Sequence, residues 1–280
     1  MRVARPTGPP TELSAGLLRP SSAQALRQSS GQASTKLRAG LFVTGTDTGV
    51  GKTLITAALA AALRACGVDV GVMKPIETGC PTRRGRLLPL DALTLREASG
   101  SRDSLALINP YRFREPLAPM VAAERSGRRI DVGVIEERFS RLAGRHSAVL
   151  VEGAGGLLVP ITERASFLDL SARLRLPLLV VIGSRLGALN HARLTVDAAL
   201  HARLRVAGAI LNHPTVDRSP ARTTNLSALR RLLPVPVLGE IFHVAGLGHQ
   251  PSWDHPRIRQ ILVLYLRQLL PEVLGRSEAC

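Results

Sequence analysis

The sequence predicts an α/β fold, a mostly parallel sheet flanked by helices on both faces. Three observations predict it. Six short apolar runs alternate with helical stretches along residues 40–241. The runs are apolar almost throughout, as strands covered on both sides must be. The first run passes into a glycine-rich loop that ends at a helix start, "GTDTGVGKT", residues 45–53. Apolar strands separated by helices read as βαβ units.

Taken in order, Leu41–Thr44 is the first strand, and the alanine- and leucine-rich stretch 52–66 is the first helix. Val68–Lys74 follows as a second strand. The connection from 75 to 146 is the longest, with helical patterns near 91–99 and 131–144, and is expected to hold substrate-specific structure. Ala148–Glu152, Leu178–Ile182, Val206–Leu211 and Val235–Ile241 complete the strands, with helices near 190–204 and 219–233 between the last three. The stretch "PRIRQILVLYLRQLL", 256–270, reads as a helix with arginines on one side. Packing on the sheet is its expected role, and lying on a membrane surface the alternative.

Residues 39–275 thus read as a single domain. Residues 1–38 differ: Ser, Ala, Pro and Arg dominate, and Glu12 is the one acid. They read as a disordered extension, with an organelle transit leader as the alternative. Residues 276–280 are a short tail.

The composition narrows the class. Of 280 residues, 45% are hydrophobic and only 3% aromatic, so aliphatic side chains must build the core. No uncharged apolar run reaches the roughly 18 residues of a spanning helix. Cys66, Cys80 and Cys280 are odd in number and lack metal-ligand spacing, which fits a cytoplasmic, reducing setting better than a disulfide scaffold. The net charge of +16 comes from scattered arginines, without basic stripes interleaved with aromatics. Neither nucleic acid nor a membrane is therefore an expected partner. Only three lysines occur, Lys36, Lys52 and Lys74. In a chain this rich in arginine, a lysine can mark a place that needs a compact point charge.

The glycine loop is a phosphate cradle by its chemistry. Glycines let successive N–H groups face one anion, and the helix behind adds its positive end. Lys52 can reach phosphate oxygens, and the Thr53 hydroxyl can ligate Mg²⁺. Five residues, not four, separate Gly45 from Gly51, so the match to the common P-loop pattern rests on the closing "GKT" and the strand–loop–helix context. Lys74 ends the second strand, at the sheet edge where ligands of such folds bind. A second cation there would stabilise charge in a phosphoryl transfer; a solvated surface lysine is the plain alternative. Glu152 ends a buried strand before further glycines and can hold Mg²⁺, or else simply accept from neighbouring N–H groups. Asp91 opens a helix, so it is either an N-cap or the carboxylate that completes an oxygen-rich cation site with Thr53 and Glu152. No Ser-His-Asp pattern or zinc spacing appears.

The motifs "FVTGTDTGVGKT", "KPIETG", "DALTL", "NPYRFREPLAP", "LVEGAGGLLVP", "LPLLVVIGSRLGALNHARLT" and "GAILNHP" stand in the order seen in dethiobiotin synthetases. The resemblance spans about residues 40–243. It implies a P-loop NTPase-type homodimer that uses ATP, Mg²⁺ and CO₂ to close the ureido ring of 7,8-diaminononanoate in biotin synthesis. It also implies residue roles. Lys74 and Lys52 match the catalytic cations, Lys74 near the carbamate and γ-phosphate. Gly49, Val50, Gly51, Lys52, Thr53 and Leu54 match ATP contacts. So do Asp91 and the turn of Glu152, Gly153, Ala154 and Gly155, while Asn212 matches an asparagine that reads adenine. Thr48, Lys74 and Thr78 match diamine contacts, and Gly187 and Asn190 a segment that reaches the substrate carboxylate across the dimer. Thr53, Asp91 and Glu152 match the Mg²⁺-associated positions.

Three positions depart from the family pattern. Gly49 stands where some relatives have glutamate, and "GEIFHV", 239–244, lacks a Pro-Trp that some carry near the base. His213 follows Asn212 where some have aspartate. All three bear on nucleotide recognition. A partitioning-type switch ATPase of the same fold group is the rival reading. It expects a second lysine near the loop start, where this chain has Thr46 and Asp47.

Overall fold

The computed structural model describes residues 39–216, 219–243, 253, 255, 258, 265, 267–271, 273 and 274. Expectations for residues 1–38 and 276–280 lie outside the described residues. Twelve strands are described: β1 (Gly40–Gly45), β2 (Val70–Met73), β3 (Ile76–Glu77), β4 (Thr82–Arg83), β5 (Arg86–Leu87), β6 (Tyr111–Arg112), β7 (Ala148–Gly156), β8 (Pro160–Thr162), β9 (Ala165–Ser166), β10 (Leu178–Gly183), β11 (Val206–Asn212) and β12 (Val237–Ile241). The helices are α1 (Lys52–Ala65), α2 (Leu90–Ser99), α3 (Leu105–Ile108), α4 (Pro119–Arg125), α5 (Val132–Ala143), α6 (Phe167–Leu174), α7 (Ala188–His201) and α8 (Ala221–Leu232).

Six strands form one all-parallel sheet in the order β12-β11-β10-β1-β7-β2. The helices cover both of its faces. Alternate side chains of β1 separate the two cores: Phe42 joins one, and Leu41 and Val43 the other. Phe139 of α5 and Phe167 of α6 fill the Phe42 side, with α7 and α8 beside them. The opposite core belongs to α1 and α2. Six alanines let α1 lie close, and Ile55 through Leu63 are buried without a break. Alanine also has the highest helix propensity, so the helix is locally favoured as well as packed. In the C-terminal stretch, Ile258, Leu269, Leu270 and Val273 are buried in this same core, which agrees with packing on the sheet.

Register places the chemistry. Met73 of β2 pairs with Val151 of β7, so the next residues, Lys74 and Glu152, are neighbours across the sheet edge. Val43 of β1 pairs with Glu152 itself, two residues before the glycine loop opens. The long connection adds elements too short for a sequence pattern: the parallel pair β3–β6, the hairpin β4–β5, and α4. Helix α6 was also absent from the sequence pattern. Its start is a capping box in which Ser166 and Asp169 satisfy each other's main-chain N–H groups. Cys80 is free and buried.

At the opposite end of the strands, His146 ties three connections together. Its Nδ1 lies 2.9 Å from Asp69 Oδ1 and its Nε2 2.7 Å from Asp103 Oδ2. Burial opposes the imidazole proton, the two carboxylates favour it, and the balance lifts the pKa above the ordinary 6.5. The stabilisation is therefore whole below about pH 6.5 and lost as pH rises through the higher folded value. Unfolding free energy should fall as pH rises above about 6.5, with the slope reduced in His146→Ala. Equal slopes in urea titrations of the two proteins would remove this role from His146.

Candidate active site

The glycine loop, the ends of β2 and β7, and the start of α2 enclose a cleft of about 560 Å³. On the loop side it is lined by Thr48, Gly49, Gly51, Lys52, Thr53 and Leu54. Gly51 is the N-cap of α1, with φ 93° and no side-chain cap. The N–H groups of the first turn are thus left for an anion, and the helix dipole favours one there. Lys52 folds back over the loop and donates to the Asp47 carbonyl at 2.9 Å. Burial, and then the charge of Lys74, push its pKa down to about 8. Asp47 itself pairs with Arg185 across the loop.

The opposite wall carries the charges. Lys74 is 3% exposed, so the surface-lysine alternative does not hold. Its Nζ donates to Glu152 Oε1 at 2.5 Å and to the Gly153 carbonyl at 3.3 Å, and lies 2.7 Å from Asp91 Oδ2. Burial disfavours the ammonium, but Glu152 and Asp91 outweigh it and hold Lys74 protonated, above the usual lysine value. The Thr53 hydroxyl donates to the same Glu152 oxygen at 2.8 Å. Asp91 is not the N-cap of α2, the position being Pro89. It is a first-turn residue whose carboxylate turns to Lys74.

Two residues outside the sequence prediction organise this wall. Asn109, fully buried, donates from Nδ2 to the Lys74 carbonyl at 2.7 Å and to the Tyr111 carbonyl at 3.2 Å. The Lys74 N–H donates to the Ile108 carbonyl at 2.9 Å, so the main chain of Lys74 is held on both sides. Glu77 accepts from the N–H groups of Asp91 and Ala92 at 3.0 and 3.1 Å. Burial, with Asp91 adding to it, pushes the Glu77 carboxyl up to about 7. Both residues fall in motifs noted above, "NPYRF" and "KPIETG", but nothing in one sequence tells their roles.

The remaining expected site residues divide. Thr78, Ala154 and Gly155 line the cleft. Gly153 lies behind it, packed near the Phe42 ring. Val50 is buried beneath the loop, and Asn212 donates from Nδ2 to its carbonyl at 2.8 Å. Asn212 does not line the cleft. Gly187 and Asn190 lie at the exposed start of α7, also away from the cleft.

Thr53 Oγ1, the Asp91 carboxylate and Glu152 supply hard oxygen donors of the kind Mg²⁺ takes. Glu152 Oε2 is buried and has no hydrogen-bond partner among the described residues, an oxygen suited to such an ion. The donor set fits.

A family model described as an AAA domain matches residues 39–250. The ATP-dependent dethiobiotin synthetase BioD of Anaeromyxobacter dehalogenans (strain 2CP-C) is 48% identical over 193 residues, covering 69% of this chain and 85% of that protein. The chain belongs to the dethiobiotin synthetase family. The ATP-dependent dethiobiotin synthetase BioD 1 of Escherichia coli O157:H7 is 38% identical over 199 residues, 71% of this chain and 88% of its own length. Solved structures reach further with the fold alone. The cell division protein MinD of Aquifex aeolicus superposes at a TM-score of 0.53 with 16% identity, over 86% of this chain and 99% of that one. MinD of Pyrococcus horikoshii OT3, solved with Mg-ADP, gives 0.51 and 14%, over 86% and 100%. At such identities the likeness shows the fold and nothing of the activity. The family rests on the sequence relatives.

Proposed function

We propose that this chain catalyses ATP-dependent closure of 7,8-diaminononanoate with CO₂ to dethiobiotin. The carrying observation is the buried Lys74 ammonium, bonded to Glu152 and facing Asp91 in the same cleft as the Lys52 loop. One substrate amine adds to CO₂ and loses a proton, giving a carbamate. A carbamate oxygen attacks the γ-phosphorus as the bond to the ADP oxygen breaks, leaving a carbamic–phosphoric anhydride. The neighbouring amine then attacks the carbonyl carbon, inorganic phosphate leaves, and the five-membered ring closes.

Each step joins anions, so the chain's work is holding and neutralising them. The open first turn of α1 and Lys52 take the phosphates. Lys74, already fixed by two carboxylates and by Asn109, faces the transferring group without needing to reorganise. Mg²⁺, held by Thr53, Asp91 and Glu152, supplies further charge neutralisation when bound. Thr48 and Thr78, on opposite walls of the cleft, offer hydroxyls to the diamine.

The enzyme is proposed to be a cytoplasmic homodimer with its catalytic domain in residues 39–275. Leu158 and Leu194 line one surface depression and are 63% and 61% exposed, and Leu186, 89% exposed, precedes the start of α7, where Gly187 and Asn190 stand; these apolar side chains suit contact with a second copy. No helix of the described residues is long and apolar enough to cross a membrane. The test is phosphate release from Mg·ATP with bicarbonate, with and without the diamine, the product weighed by mass spectrometry. Release coupled to dethiobiotin is expected. Hydrolysis indifferent to the diamine, or stimulated by DNA or lipid, would transfer the assignment to a switch ATPase.

A further inference from the structure

We propose that Glu77 is a positioning residue, capping α2 from outside that helix and thereby fixing Asp91 against Lys74. The claim rests on the functional reading above for what the wall does, and on geometry for how it is built.

Helix α2 begins after Pro89, which offers no side-chain acceptor, and no local side chain caps it. Two of the N–H groups left open at such a start are instead taken by one distant carboxylate. Oε1 of Glu77 accepts from Asp91 and Oε2 from Ala92, at 3.0 and 3.1 Å. Glu77 is 5% exposed and sits at the end of β3, where Ile76 and Glu77 pair with Tyr111 and Arg112 of β6. Phe113 N donates to the Glu77 carbonyl at 2.8 Å, closing the other side of its main chain. The anchor is therefore rigid before it meets α2.

One of the two capped groups belongs to Asp91 itself. The bond from Glu77 sets the main chain from which the Asp91 side chain reaches Lys74 at 2.7 Å. The small β3–β6 pair thus aligns both partners. Asn109, between α3 and β6, fixes the Lys74 main chain, and Glu77 fixes that of Asp91. Acidic side chains are favoured at helix starts, but a surface cap needs neither this burial nor a carboxylate from another element. The cost of placing a third carboxylate beside Asp91 and Glu152 is offset only where the alignment is needed.

A double-mutant cycle of Glu77→Ala and Asp91→Ala tests this. It reads kcat/KM for phosphate release, Mg²⁺-dependent AMPPNP affinity by calorimetry, and the urea midpoint. Glu77→Ala alone should lower turnover and Mg²⁺-dependent affinity by about 10-fold or more, as loss of a supporting partner does. In the Asp91→Ala background it should change neither, while the fall in urea midpoint from the lost cap persists in both backgrounds. Glu77→Gln, which keeps one carbonyl acceptor, should recover most of the turnover. Equal fold-losses in both backgrounds, or a lower midpoint with unchanged turnover and affinity, would overturn the assignment. If the wild type binds Mg·AMPPNP but leaves the diamine unconverted, the functional reading fails. The calorimetric cycle then still decides the role of Glu77.

Discussion

Lys74→Arg should remain folded and lose turnover by about 10²–10³-fold, the range seen when one preorganised charge-stabilising donor is removed. The ammonium of Lys74 has three donors and three acceptors in place: Glu152, Asp91 and the Gly153 carbonyl. A planar guanidinium carries its donors farther from the chain and in one plane, so it can pair with one carboxylate while missing the rest. Retreat is blocked, because Asn109 and Ile108 hold the main chain of residue 74. Arginine is the right probe because it keeps the charge. Lys74→Ala would leave Glu152 buried and unpaired, at a cost of about 3–5 kcal/mol, and would confuse unfolding with lost chemistry. Single-turnover phosphate release and thermal melting of the same Lys74→Arg preparation are the measurements. Near-native turnover would remove Lys74 from the chemistry; an unfolded protein would mean that its packing role dominates.

The sheet was legible because its strands are apolar on both faces and its helices periodic, a pattern carried by many residues at once. The phosphate loop was legible for a local reason: Gly45, Gly51, Lys52 and Thr53 lie within one turn of chain and declare their chemistry together. Asp91 was legible only as a choice between a cap and a cation-site carboxylate. The structure removes the cap: Glu77, 14 residues earlier, accepts from the first N–H groups of the helix, and the Asp91 carboxylate turns to Lys74. Asn109 acts on Lys74 across 35 residues, and no spacing rule announces such a contact. The pairs β3–β6 and β8–β9 are two or three residues long, held by tertiary context rather than by propensity. Asn212 carries a second contact of this long-range kind. Family resemblance implies a contact with adenine, and the structure adds a bond that resemblance does not announce, from Asn212 Nδ2 to the carbonyl of Val50 beneath the phosphate loop.

That contact makes Gly51→Ala the second large effect, an expected loss of nucleotide affinity of at least about 100-fold with a measurable loss of stability. Two causes act together. Gly51 has φ 93°, a conformation that an L side chain adopts at a cost of about 1–3 kcal/mol. A Cβ there would also stand 2.2 Å from Asn212 Nδ2. Asn212 is 2% exposed and holds Val50 through that same nitrogen, so yielding breaks a buried hydrogen bond and frees the loop. Either the loop shifts or the start of α1 does, and in both cases the N–H groups no longer converge on one phosphate. Asn212→Ala separates the causes, since it removes the obstructing amide and leaves the backbone strain. Calorimetry with Mg·AMPPNP should show Gly51→Ala/Asn212→Ala binding more tightly than Gly51→Ala, yet more weakly than Asn212→Ala. Wild-type affinity in Gly51→Ala would mean that the loop does not cradle phosphate in the conformation described. If the double variant gains nothing over Gly51→Ala, the backbone conformation alone accounts for the loss, and the amide of Asn212 is no part of what shapes the cradle.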